Sequence, residues 1–81
     1  MRRQNGSRRF LLAEAAARGR REGGGVAVEI ALTKEQIATR IGSVREVVSR
    51  AFGRLQQEGL IAVDGPRVRI PDEAALRDYA A

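Results

Sequence analysis

Apolar residues fall along this chain in two rhythms, and the switches between them mark out the elements. From Arg8 to about Arg20 the run RRFLLAEAAARGR is rich in strong helix formers, with Phe10, Leu11, Leu12, Ala13 and Ala16 supplying an apolar side. Its basic residues gather near the C-terminal end, where the helix macrodipole favours them. EGGG then breaks the helix, because consecutive glycines are costly in any regular element. VAVEI sets Val26, Val28 and Ile30 at period two and predicts a short strand in need of a partner. At Thr33 the helical rhythm returns. TKEQ matches a capping box, Ile37 and Ile41 form a stripe with Ala38 beside them, and Gly42 supplies the stop.

SVRE, with Ser43 and Glu46 three apart, matches a second capping box, so another helix is predicted over about residues 44–58 before Gly59 ends it. Placed on a wheel at about 100° per residue, Val48, Ala51, Phe52 and Leu55 share one side, with Val44 near them. Arg45, Glu46, Ser49, Arg50 and Gly53 take the opposite side, with Arg54 and Gln57 at its margin. LIAVDGPRVRI alternates on both sides of Asp-Gly and predicts a β-hairpin, in which Arg67 and Arg69 face away from Val68 and Ile70. PDEAALRDYA suits a short terminal helix. Residues 1–7, MRRQNGS, lack periodicity and are expected to form a flexible arm ahead of one domain over residues 8–81.

Composition narrows the chemistry more than the fold. At 81 residues there is room for one small core, and with aromatics at 4% it must be built from Ile, Leu, Val and Ala around Phe10, Phe52 and Tyr79. Cysteine and histidine are absent, which removes disulfides, thiol nucleophiles, imidazole bases and the usual zinc ligands together. With the carboxylates scattered along exposed faces, an enzyme is not expected, and neither is a metal or cofactor. The glycine run has no Lys-Ser/Thr after it and so does not read as a phosphate loop. No apolar run approaches the ~20 residues a membrane helix needs, so a cytoplasmic chain is expected.

Charge then points to a partner. The formal balance is +5 and uneven: Arg2, Arg3, Arg8, Arg9, Arg18, Arg20 and Arg21 stand against Glu14 alone in the first quarter, while the last third is net acidic. Such asymmetry favours a polyanion on one side, nucleic acid before membrane. Short helix, tight glycine turn, polar-faced helix and Asp-Gly hairpin together make the order of a winged helix-turn-helix. That is an α+β fold with a three-helix core, a small antiparallel sheet, a hairpin wing and a short C-terminal helix. Its second helix reads base edges in the major groove.

The segment LTKEQIATRIGSVREVVSRAFGRLQQEGLIAVDGPRVRI also resembles the C-terminal DNA-binding domain of Crp/Fnr transcription regulators, whose R-E-x-x-x-R reading motif stands here as Arg45, Glu46 and Arg50. The resemblance covers roughly residues 8–80. It implies that Arg45 donates to a guanine edge, Glu46 accepts from a cytosine amino group and Arg50 reads a second purine, with Ser49 touching a base or phosphate; the donor and acceptor chemistry agrees. Thr33, Lys34 and Ser43 match the family's phosphate contacts at helix N-termini, and Arg54 and Arg67 are further candidates. It also implies a longer regulator with an effector-binding barrel and a dimerisation helix, binding a near-palindromic operator as a homodimer. Neither part is in this sequence, so the chain is expected to be the output domain cut from such a regulator, with a natural short homologue as the alternative.

The family often has Ser and Thr where Val44 and Val47 stand, and a basic residue where Pro66 stands, which leaves Arg67 as the wing's contact. Glu46 keeps two readings, a base contact or the closing residue of a capping box with Ser43. The alternative function is a winged-helix protein-interaction module that turns the same basic face to an acidic partner.

Overall fold

The computed structural model describes residues 6–79, in the order α1 (Gly6–Arg18), β1 (Arg20–Glu22), β2 (Gly25–Glu29), α2 (Lys34–Ile41), α3 (Arg45–Gln57), β3 (Ala62–Asp64), β4 (Arg67–Ile70) and α4 (Glu73–Asp78). The strands form one antiparallel sheet in the order β1-β2-β4-β3. This is the winged helix-turn-helix that the periodicity predicts, with one strand more than the sequence revealed.

That strand is β1. The first helix stops at Arg18 instead of about Arg20, and Arg20–Glu22 turns back through Gly23 and Gly24 to pair with β2, Arg20 opposite Ala27 and Glu22 opposite Gly25. EGGG is therefore the last residue of β1, a two-glycine hairpin turn and the first residue of β2. A Cβ on Gly25 would lie 2.8 Å from the Pro71 Cα and closer still to the Ile70 carbonyl oxygen, so close approach of β4 is what requires glycine there. β2 is thus buried on both faces, Val26 and Val28 toward the helices and Gly25 and Ala27 beneath side chains of the neighbouring strands.

The core takes Leu11, Val48, Ile70 and Leu76 out of solvent completely and nearly buries Phe10, Phe52, Leu55, Ile37 and Ile61. α1 packs against α2, α3, α4 and β2 and is the element most shared among the others. On it Ala15 is buried, whereas Ala13 and Ala16 are exposed, so the apolar stripe is narrower than the composition of the segment suggests. Gly6 and Ser7, expected within the flexible arm over residues 1–7, form its first turn instead, with Ser7 buried; residues 1–5 lie outside the described residues. A Cβ on Gly6 would come within 3.2 Å of the Ile41 Cδ1, so the start of α1 rests on the end of α2. Arg8 donates from Nη1 to the Arg77 carbonyl at 2.6 Å and ties α1 to the C-terminal end of α4.

The second hairpin has its turn one residue later than the Asp-Gly pair indicates. Asp64 pairs with Arg67, leaving Gly65 and Pro66 as the two-residue loop, with Gly65 at φ +62°. α4 is capped by Asp72, whose side chain accepts from the Ala75 amide at 3.2 Å.

Replacing Gly25 with Ala forces backbone apart between β2 and β4 and is expected to destabilise the domain by about 1–3 kcal/mol. Urea unfolding followed by circular dichroism measures it.

Candidate nucleic-acid interface

The interface is built at the corner between α2 and α3. Thr33 caps α2 as predicted: its hydroxyl accepts from the Gln36 amide at 3.1 Å, and its own amide donates to the Gln36 Oε1 at 2.9 Å. Gly42 ends the helix in the left-handed region at φ 70°, which only glycine adopts without strain. From that turn Ser43 donates its amide to the Ala38 carbonyl at 2.8 Å, wrapping the chain tightly about the end of α2. Ala38 is buried, and its small side chain lets α3 cross α2 closely.

This closure overturns the second capping box. With Ser43 engaged in ending α2, the chain stays extended through Val44 (φ −122°, ψ 156°), and Val44 is the N-cap of α3. No side chain caps the helix. Its carbonyl takes the amides of Val47 and Val48 at 3.0 and 3.2 Å, and Glu46 sits one position too early to reach back as an N3 residue. Val44 is 60% exposed, not packed near the core stripe as the wheel suggests. Beyond it the wheel holds: Val48, Phe52 and Leu55 are buried and Ala51 is half-buried. α3 then closes at Gly59, with Leu60 donating to the Leu55 carbonyl at 2.9 Å.

On the opposite side Arg45, Glu46, Ser49 and Arg50 are all exposed, with Gly53 and Arg54 continuing the face. Arg45 and Ser49 form one i,i+4 row and Glu46 and Arg50 another, so the four share one surface. Among the described residues none of these side chains makes a hydrogen bond or ion pair. Their donors and acceptors are available to a partner outside the domain.

The expected phosphate contacts are less uniform. Arg54 is exposed on α3 itself, while Thr33 keeps only its hydroxyl proton to offer, since its amide is taken. Ser43 is half-buried and its amide is likewise taken. Lys34 holds its ammonium 5.3 Å from the centroid of the Phe52 ring, a cation–π contact that fixes the charge at the crossing of α2 and α3. Arg67 stands on another element with its guanidinium turned along the sheet, where it pairs with Glu22 of β1. Sequence reasoning missed Glu22 altogether. The signal was the Gly-Gly dipeptide between RRE and GVAVE, itself a hairpin mark.

Residues 8–79 match the family described as the Crp-like helix-turn-helix domain. The chain belongs to that family. Over 66 residues, 82% of this chain, it is 38% identical to a CRP-like cAMP-activated global transcriptional regulator of Mycobacterium tuberculosis. It is 35% identical over 68 residues, 83% of the chain, to the transcriptional activator protein FnrL of Cereibacter sphaeroides. The chain spans 30% of the first relative's length and 27% of the second's. A CooA variant from Carboxydothermus hydrogenoformans has the same fold, with a TM-score of 0.85 at 22% identity over 98% of this chain and 37% of its own. Within this Crp-like domain, among the described residues, no helix is long and apolar enough to cross a membrane, and no cluster of acidic, histidine or cysteine side chains is placed to hold a metal ion.

Because Val44 has an extended N-cap backbone but no capping oxygen, Val44→Ser is expected to stabilise the domain by about 0.5–2 kcal/mol. Thermal unfolding of the two proteins at matched pH and salt measures the gain.

Proposed function

We propose that this domain binds double-stranded DNA sequence-specifically, with α3 in the major groove, as the output domain of a transcription regulator. The observation that carries the reading is the unpartnered, exposed row of Arg45, Glu46, Ser49 and Arg50 on a helix whose other face is core. An α-helix fits the major groove, and these groups match what base edges offer there. Arg45 donates both arms of its fork to guanine O6 and N7, Glu46 accepts from a cytosine amino group, Arg50 reads a second purine, and Ser49 reaches a base or phosphate. Loss of the capping box supports the role of Glu46, whose carboxylate has no competing partner at its own helix end.

Around this row, phosphates of the two strands fix the register. Arg54 supplies a charge from the reading helix, Lys34 one from the start of α2, and the Thr33 hydroxyl a neutral donor beside it. Ser43 contributes through its hydroxyl, and Arg67 from the wing after leaving Glu22. A lone domain engages one half-site weakly. In a longer homodimeric regulator, two reading helices about one turn of DNA apart bind a near-palindromic operator far more tightly.

Arg45→Ala and Arg54→Ala separate reading from anchoring. The first is expected to lose ~1–3 kcal/mol on the preferred duplex and to relax discrimination at a single base pair. The second is expected to weaken binding evenly across sequences and to flatten the slope of log K against log salt by about 0.9. Fluorescence titration of duplexes selected from a randomised pool distinguishes them; equal, sequence-blind binding by wild type and Arg45→Ala defeats the base-reading role.

A further inference from the structure

The outer face of the sheet carries an arrangement that DNA binding alone does not explain. In register, Arg67 of β4 stands opposite Glu29 of β2 and Asp64 of β3, either of which is a nearer cross-strand neighbour than β1. Its guanidinium nevertheless passes over β2 and pairs with Glu22, two strands away. The other Glu22 oxygen lies 3.8 Å from the Arg69 Nε, so one carboxylate gathers both arginines of β4. The crossing is possible because β2 presents only Gly25 and Ala27 beneath it. Ala27 lies on this outer face yet is 6% exposed, roofed by the side chains that reach across. An open cleft lined by Arg18, Arg20, Glu22, Ala27, Glu29 and Arg67 runs beside the pair.

We infer that Glu22 is a positioning residue for DNA binding: it holds the wing's arginine back along the sheet and competes with backbone phosphate for it. Arg67 immediately follows the two-residue tip, Gly65 and Pro66, and neither tip residue carries a charge. With Arg67 held by Glu22, the wing offers the duplex almost no net positive charge. Releasing it adds one cation within reach of a phosphate. An exposed ion pair resists by no more than about five-fold, so the exchange is within the reach of DNA itself.

The inference rests on the DNA-binding reading, and one experiment separates their failures. A fluorescent duplex selected from a randomised pool is titrated over a salt series with wild type, Glu22→Gln, Arg67→Ala and the double variant. Glu29→Gln serves as a control that removes the same charge from the same face. Glu22→Gln is isosteric at a half-buried position, and circular dichroism checks its fold. It is expected to bind about two- to five-fold more tightly, because Arg67 no longer has to leave a carboxylate to reach phosphate, with the salt slope unchanged since the same phosphate contacts form. The gain is expected to vanish in the Arg67→Ala background and to be smaller in Glu29→Gln. Wild-type affinity in Glu22→Gln, or a gain that persists without Arg67, overturns the competition. A wild type that binds no duplex overturns the DNA reading and this inference together.

Discussion

One backbone hydrogen bond, from the Ser43 amide to the Ala38 carbonyl, decides where the functional face of this domain points. With the left-handed turn at Gly42 it brings the chain sharply around the end of α2, and the buried Ala38 lets α3 settle against its neighbour. The same bond keeps Ser43 from capping the next helix, so α3 begins at Arg45 after an extended Val44. From that start, the buried Val48, Phe52 and Leu55 allow only one rotation of α3 about its axis, and the arginines are turned outward by the same residues that hold the core.

The sheet supplies what a core so poor in aromatics needs. From Gly25 to Val28 β2 is buried on both faces, which is unusual for an antiparallel strand in a small domain and is achieved by having only Gly25 and Ala27 on the outer side of that stretch. Gly25 admits β4, and Ala27 admits the side chains that cross between β1 and β4. The helices then pack on a surface tied on both sides, and α1 reaches α2, α3, α4 and β2 from one position. In this way two layers of short elements share one cluster of buried aliphatic residues around Phe10 and Phe52.

Much of this was legible because its causes are local. The Thr33 capping box, the Gly42 stop, the stripe of α3 and the alternation through Arg67–Ile70 each depend on residues a few positions apart, and each is found where the pattern puts it. What the sequence hid depends on neighbours in space. β1 is three residues with exposed charge at each of its first two positions, so it has no alternation to read, and only pairing with β2 makes it a strand. Ser43 looks like a cap in isolation, but the demand of the preceding helix for its amide comes first. Ala15 is buried in place of Ala13 and Ala16 because methyl groups alone cannot say which side of a helix meets the sheet. The Arg67 and Glu22 pair joins positions 45 apart, beyond any local pattern.

The meeting of Gly6 and Ile41 has a mechanical side. Without a Cβ at position 6 the first turn of α1 comes close to α2, and the nearest side chain that a push on that turn meets is Ile41. Displacement there must be handed to Ile41, the residue next to the Gly42 turn. A lever arm attached before α1 would therefore bear on the α2–α3 corner at this glycine and isoleucine as well as through the other contacts α1 makes with both helices.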